Sequence, residues 1–555
     1  MPNARLPLLG ALLALAAGGV ASQARADACS DLTGAKLDHA AILHAETVDS
    51  GRFVEPADPG KTGKAHEDLP AFCRAVGVSS PTPGSHIGFE VWLPLQGWSR
   101  RLHMVGNGAY TSSIYYAQMA QRIRAHDVAV ATDTGHQGSK LDFGFDNPEG
   151  VKVWAKLAVH ESVVAAKQVT RAYFHSTPQW AYFSGCSTGG MQALSEVQTY
   201  PDDFDGVIAG DPGSNRTNLT LSFLWNYQHN HPPGDDAHPI IPIAKLLMVN
   251  RQVVHACDAL DGVVDGVIND PRACRFDVAA LHCADREADD CLTDAQVSAF
   301  KAIYAGPQDA RTGRQIFPGF TLGSEGVQTE PNQRLPGWSD YWADTHHPDQ
   351  PDRVDILRRW ALHDPSWNWW TFDWGHDVDT VRTRLAPLMD ATNPDLHGFR
   401  AHGGKLIMFM GWEDPVGAAQ DAIDYYDQVT DRGAGSTLQA KRRATQSFAR
   451  LFMVPGMGHC AGGPGATNMS TATRDSTPPI SDARHDMALA LEDWVEHGRA
   501  PEILVATHYK DDVPGGDVQF QRPLCAYPKT TKYIGGDTSK AESFTCIDRV
   551  APHPA

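Results

Sequence analysis

Residues 182–194, YFSGCSTGGMQAL, place Ser187 inside a G-x-S-x-G pattern, with apolar WAYFS before it and GGMQALSEV after it. A serine hydroxyl is a weak nucleophile until a neighbouring base takes its proton. The pattern alone says little. Its setting says more, because the run before Ser187 reads as a strand and the run after it opens a helix. A sharp strand-to-helix turn lifts Oγ clear of a sheet, and the flanking glycines permit that tight backbone.

The partners of such a serine follow it in the order acid, then histidine, each in a loop after a strand. For the base, His459 follows the apolar run RLFMV and sits in the Gly-rich loop VPGMGHC. His402, His485, His497, His508 and His553 lack that placement. For the acid, Asp414 in GWEDPVG follows KLIMFM and is preferred on placement. Its neighbours Glu413, Asp421 and Asp424 are rivals, Glu413 the nearest. The oxyanion that forms on an attacked carbonyl needs backbone N–H donors. The amide of Thr188, directly after the nucleophile, is one. The loop VGNGAY offers the second at Gly108, with Ala109 as the alternative.

Cysteines flank this machinery. Cys186 precedes Ser187 and Cys460 follows His459. A hydrogen-bonded serine and histidine stand roughly 3 Å apart. Their chain neighbours then become candidates for the short Cα separation of a disulfide. A Cys186–Cys460 bond would staple the nucleophile loop to the histidine loop.

The elements that must position these groups are legible as alternating patterns. GFEVWLPL, RLHMVGNG, VAVATDTG, QWAYFSG and FDGVIAG read as strands. YYAQMAQRIRAH and HESVVAAKQVTRAYF carry apolar residues at helical spacing. Alternating strands and helices from about residue 87 to 213 imply an α/β sheet covered on both faces. The rhythm then breaks. Residues 214–399 are rich in Asp, Pro and Trp and hold eight of the fourteen tryptophans and four of the ten cysteines, so this stretch reads as an inserted cap or lid. KLIMFMGWEDP and ARLFMVPGMGHC then resume the core. The expected division is 27–213 for the first part of the core, 214–399 for the lid and 400–555 for the second part.

Residues 1–26 read as an export leader. Arg5 opens them, LPLLGALLALAAGGVA supplies a short apolar stretch, and ARA ends them with small residues spaced for cleavage before Asp27. The apolar run is short for a membrane span. The expected product is exported, secreted or periplasmic, and the Ala- and Arg-rich leader has a bacterial style. In a fungal host, the sequons at Asn215, Asn218 and Asn468 would be glycan acceptors. All ten cysteines lie beyond the leader, and an even count in an exported chain favours disulfides over metal or redox sites. A formal charge of −19 offers no basic excess, which disfavours nucleic acid and anionic membranes as partners.

GCSTGG, GWEDP and PGMGHC together, with Cys-Ser and His-Cys paired around one Asp, resemble the tannase and feruloyl esterase family, which includes bacterial mono(hydroxyethyl) terephthalate hydrolases. The resemblance covers nearly all of the chain after the leader. It implies an α/β-hydrolase core with a large inserted lid, and a serine esterase that cleaves esters of aromatic acids, with small aromatic esters, free or linked to a plant polymer, as the expected partners. It also implies four further disulfides: Cys29–Cys73, Cys257–Cys274, Cys283–Cys291 and Cys525–Cys546. It places a structural Ca²⁺ in the lid, on CDALDGVVDGVINDP, with the carboxylates of Asp258, Asp261 and Asp265 and the carbonyls of Val263 and Val267. A hard cation suits several oxygens from a tight, Gly-punctuated loop, although the spacing is not that of an EF-hand.

Within such a family the substrates divide among hydroxycinnamoyl (feruloyl) esters, galloyl esters and terephthalate monoesters. Feruloyl-type esters are the first expectation and galloyl esters the second. Trp338, Trp342, Trp367, Trp369 and Trp370 could stack on a phenolic ring, but most are expected to be lid core. Two rival readings share features with this one. A serine peptidase on the same fold would carry the same triad order, and a non-catalytic phenolic- or carbohydrate-binding protein would use the aromatic insert.

Overall fold

The computed structural model describes residues 28–57, 62–138, 140–326, 337–344, 346–470 and 477–549. The expected leader, residues 1–26, and His553 lie outside them. Two compact units emerge. Of the described residues, the first comprises those in 28–105, 112–136 and 158–182, and the second those in 106–111, 137–157 and 183–549. These boundaries do not coincide with 213/214 and 399/400. The insert belongs to the same unit as residues 183–213 and the segment after 400.

In the first unit, strands β1 (Ala40–Val48), β4 (Phe72–Ser79), β5 (Ile87–Pro94), β7 (Val128–Thr132) and β6 (Arg101–Val105) lie side by side in that order. β1, β4, β5 and β7 pair antiparallel, and β6 pairs parallel with β7. A hairpin of β2 (Gly51–Val54) and β3 (Ala65–Leu69) adds Phe53 and Leu69 to a core with Phe72, Trp92 and Met119. Helices α1 (Tyr116–Arg124) and α2 (Ala158–Phe174) follow the helical spacing read from sequence. On α2 the buried side is Val159, Val163, Ala166, Thr170 and Tyr173, steps of three and four that keep one face on the core. Among the described residues the strands before Ile87 carry no helix between them, so they escape an alternating strand–helix reading.

β8 (Trp180–Cys186) runs out of the first unit and into the second. There β8, β9 (Gly206–Gly210), β10 (Lys405–Gly411) and β11 (Ala449–Val454) are neighbours in that order. β10 pairs parallel with β9 on one side and β11 on the other. Every residue of β9, an interior parallel strand, is buried, and so is every residue of β11 at the end of the sheet. Helix α3 (Thr188–Thr199) follows β8 directly. Between β9 and β10 the described residues form helices and turns, including α4 (Arg216–Asn230), α5 (Ile243–Cys257) and α6 (Asp294–Ala305). α6 opens on a capping box in which Thr293 and Gln296 satisfy each other's backbone N–H. The insert has its own core, built on Tyr227, Leu246, Val253, Phe300 and Trp338. After β11, β12 (Ile503–Tyr509) pairs with β13 (Val518–Cys525) and β14 (Lys529–Tyr533) with β15 (Phe544–Asp548), both antiparallel.

The pairings Cys29–Cys73, Cys186–Cys460, Cys257–Cys274, Cys283–Cys291 and Cys525–Cys546 are all present, and no cysteine is free. Among the described residues no helix is long and apolar enough to cross a membrane.

Candidate active site

Ser187 stands between the last residue of β8 and the first of α3 with φ 62° and ψ −121°, a region that non-glycine residues rarely enter. Such strain persists only where the surroundings over-determine it. Here they do. The Ser187 N–H donates to the Gly210 carbonyl at 3.0 Å, and its carbonyl accepts from Met191 at 3.0 Å. Two glycines of GCSTGG are steric necessities. A Cβ on Gly185 would lie 2.5 Å from the carbonyl of Gly189, and one on Gly190 would lie 2.2 Å from the Gly210 oxygen.

Asp414 and His459 meet. His459 Nδ1 lies 2.7 Å from Asp414 Oδ2. The Asp414 side chain is fully buried, and that of His459 is 10% exposed. The other Asp414 oxygen, Oδ1, accepts the N–H groups of Val416 at 2.7 Å and Gly417 at 3.1 Å. His459 therefore meets the second oxygen of a carboxylate whose first oxygen is already anchored. The bond to Nδ1 leaves Nε2 for a second partner. The Cys186–Cys460 disulfide, with Cα atoms 6.0 Å apart, joins the residue before Ser187 to the residue after His459.

The rivals for the acid lie elsewhere. Asp421 holds the Asn215 amide at 3.0 Å, and Asp424 takes the Gln420 amide at 2.7 Å. Glu413 is 1% exposed, and burial, with Glu325 nearby, pushes its carboxyl well above the usual range. Among the other histidines, His402 faces Asp202 and Asp205, His485 faces Asp482, His497 faces Asp493, and His508 meets the Gly465 carbonyl.

The oxyanion candidates come together as well. Thr188 is the first residue of α3, so its N–H has no partner inside the helix. Its hydroxyl donates to the Ala109 carbonyl at 2.7 Å, tying α3 to the VGNGAY loop. In that loop the Asn107 N–H is taken by Gln192, while among the described residues the amides of Gly108 and Ala109 donate to no protein acceptor. Arg216, 2% exposed, donates to the Thr188 hydroxyl at 2.9 Å, with its guanidinium over the rings of Tyr110 and Trp154. Sequence reading did not find Arg216, because nothing near it in the chain bears on Thr188.

In the lid loop, Asp258 accepts the N–H groups of Asp265 and Gly266, Asp261 accepts that of Val263, and Asp265 accepts that of Val267. Burial first, then the crowding of Asp265 and Asp258, pushes Asp261 up to about 6. Asp265 Oδ2 also takes a hydrogen bond from Arg522. Of the lid tryptophans, Trp338 is 1% exposed and donates to Ser324, and Trp342 is buried. Trp369 and Trp370 both donate to Asp236, and Trp367 packs edge-on against Phe372. Their rings are engaged in holding the lid together.

The family model described as tannase and feruloyl esterase matches residues 73–547. An uncharacterized esterase of Xanthomonas campestris is 36% identical over 98% of this chain and 94% of its own. A probable feruloyl esterase B-1 of Aspergillus oryzae is 30% identical over 86% of this chain and 84% of its own. The crystal structure of feruloyl esterase B from Aspergillus oryzae superposes with a TM-score of 0.83 at 27% identity, covering 94% of this chain and all of that one. A tannin acyl hydrolase from Aspergillus niger shares the fold, with a TM-score of 0.70 at 21% identity over 94% and 96% of the two chains. The chain therefore belongs to the tannase and feruloyl esterase family and is a carboxylic ester hydrolase with an α/β-hydrolase core and an inserted lid.

Proposed function

We propose that this esterase is exported and hydrolyses esters of aromatic acids through an acyl-enzyme on Ser187, with feruloyl and related hydroxycinnamoyl esters as its preferred class. The observation that carries the reading is the 2.7 Å contact of His459 Nδ1 with Asp414 Oδ2, on a loop stapled by Cys186–Cys460 to the Ser187 turn. With Nδ1–H donated to Asp414, Nε2 is unprotonated and accepts the Ser187 proton as Oγ attacks the ester carbonyl. The anchored Asp414 carboxylate orients the ring and stabilises the imidazolium. His459 then returns its proton to the leaving alkoxide, the acyl-enzyme remains, and water repeats the sequence to release the aromatic acid. The N–H of Thr188 and that of Gly108, or of Ala109 beside it, stabilise the oxyanion, a contribution of about 3–4 kcal/mol per donor.

Feruloyl esters come first because relatives described as feruloyl esterases share both the sequence and the fold. Galloyl esters come second and terephthalate monoesters third. Initial rates on methyl ferulate, methyl gallate and mono(hydroxyethyl) terephthalate, with Ser187→Ala as the blank, test the order. Preference for methyl ferulate supports it, and preference for either of the others replaces it.

The lid loop is proposed as a structural Ca²⁺ site held by Asp258, Asp261 and Asp265 and the carbonyls of Val263 and Val267. Asp261, held up by burial and by the charges of Asp265 and Asp258, would ionise more easily beside a divalent cation, and the backbone amides that the three carboxylates hold here would have to yield for their oxygens to converge on it. Arg522 already meets part of that charge. The ion would supply stability to the lid, and no step of ester cleavage passes through it.

A further inference from the structure

β9 ends at Gly210 and passes into Asp211-Pro212-Gly213. By sequence this is an ordinary turn after a strand. In the structure Asp211 is 3% exposed and has φ 35°, so a buried acid occupies a left-handed backbone position. Ser187 and Cys460 share that rarity, with φ 62° and 66°. Three strained residues thus gather where the catalytic loops meet.

The contacts of Asp211 reach every one of those loops. Its N–H donates to the Phe409 carbonyl of β10 at 2.9 Å. Its Oδ1 accepts the Gly411 N–H at 2.7 Å, at the end of β10 and three residues before Asp414. Its Oδ2 accepts the Cys460 N–H at 2.9 Å, one residue after His459. The same oxygen lies 3.3 Å from Cys186 Sγ, one residue before Ser187. That sulfur is bonded to Cys460 and carries no proton, so this contact is packing. Cys186, Asp211 and Cys460 crowd as metal ligands would, but the disulfide uses up both sulfurs. Directly before Asp211, the Gly210 carbonyl receives the Ser187 N–H.

We propose that Asp211 is a positioning residue of the triad, a single carboxyl whose hydrogen bonds set the loops of Ser187, Asp414 and His459 relative to one another. This rests on the triad reading above. A rigid group at this hub fits the demand of the chemistry, because a displacement of about 1 Å at the reacting atoms can cost a hundredfold in rate. Its charge state follows from its surroundings. Burial, and then the neighbouring Asp414 carboxylate, push the Asp211 carboxyl well above the usual range, while the Gly411 and Cys460 amides oppose this in part. Two carboxylates this close do not both ionise. Burial and that neighbour therefore favour the protonated form of Asp211. The titratable groups around the hub are Asp414 after β10 and His459 after β11. The β8 side contributes Ser187 and the disulfide, which does not titrate.

The test compares Asp211→Ala and Asp211→Asn with the wild type on methyl ferulate, together with the rate at which a fluorophosphonate labels Ser187. Asp211→Ala leaves two buried N–H groups without an acceptor. We expect kcat and the labelling rate to fall together about a hundredfold, KM to stay within about threefold, and no free thiol to appear. Asp211→Asn keeps one acceptor oxygen and a neutral group, so it should fold where the alanine variant does not, and lose about tenfold in kcat. The pH profile separates positioning from bulk stability. Replacing a neutral carboxyl by a neutral amide should leave the acidic limb of kcat/KM, which reports His459, within about 0.3 of its wild-type midpoint. Wild-type kcat and labelling in both variants would overturn the positioning role while leaving the triad intact. A limb lowered by about one pH unit or more in Asp211→Asn would show that Asp211 carried a negative charge, and would overturn the neutral hub. Absence of label at Ser187 in the wild type would overturn the triad reading and this one with it.

Discussion

The Cys186–Cys460 bond offers a perturbation whose size follows from the structure. It closes a loop of 274 residues, against 8 for Cys283–Cys291. In the chain-entropy model those separations correspond to about 5.6 and about 2.5 kcal/mol of unfolded-state restriction. Length is only part of the difference. Removing Cys283–Cys291 frees a turn in the lid, whereas removing Cys186–Cys460 frees the residues beside Ser187 and His459, the proposed nucleophile and base. Cys186→Ala with Cys460→Ala should therefore cost stability and rate together: a clear fall in Tm and about a hundredfold in kcat, with KM little changed. Cys283→Ala with Cys291→Ala should lower Tm by less and leave kcat within about twofold. The assay is thermal unfolding beside steady-state rates on methyl ferulate, with free thiols counted to verify that the other disulfides remain closed. Wild-type kcat in the Cys186/Cys460 variant would refute the argument that the bond preorganises the dyad, whatever happened to Tm.

Other outcomes follow from single contacts. Ser187→Ala should abolish turnover while Tm stays within a few degrees, since the change removes one oxygen at a half-buried turn; substantial residual activity would displace Ser187 as nucleophile. Arg216→Met removes the donor that holds the Thr188 hydroxyl, so kcat should fall about tenfold with KM within twofold, and an unchanged kcat would remove Arg216 from the account. Asp421 is pushed by burial from its ordinary 3.8 up to about 7. Its folded value is raised, so its contribution to stability is complete below about 3.8 and lost as pH rises through about 7. A shift of that size carries at most about 4 kcal/mol, and partial solvent access lowers this to about 2. Asp421→Asn should therefore gain on the wild type in Tm between pH 4 and pH 8.5, and a flat difference would contradict the shift. Chelation of Ca²⁺ should lower Tm by several degrees in the wild type and by much less in Asp261→Asn; equal responses would place the ion elsewhere or nowhere.

The Ser187 turn was legible because its backbone geometry constrains its neighbours in the chain. Strand, Gly185, Ser187, Gly190 and helix form one local pattern, and the close approaches of Gly185 and Gly190 are the steric reason for it. The strands that carry Asp414 and His459 were legible as apolar runs ending in glycine, and they are β10 and β11 of the parallel set. The Cys-Ser and His-Cys pairs predicted a contact 274 residues apart, and the Cys186–Cys460 disulfide is that contact. What stayed hidden was made by distance alone. Asp211 looks like a turn residue, and its meaning lies in amides far along the chain at Gly411 and Cys460. Arg216 likewise acts on Thr188 from a different helix. The antiparallel strands β1 to β4 and β12 to β15 lack the intervening helices that make an α/β rhythm visible. The lid tryptophans could be placed in the insert but not within it, since only packing reveals that Trp369 and Trp370 share Asp236.

The most direct measurement is covalent labelling of the wild type by a fluorophosphonate, with the modified residue mapped by mass spectrometry and activity on methyl ferulate followed alongside. The account predicts one label per chain, on Ser187, rising in step with the loss of hydrolysis and strongly slowed in His459→Ala. Hydrolysis that persists with Ser187 fully labelled, or inhibition with the label on another residue, would contradict it.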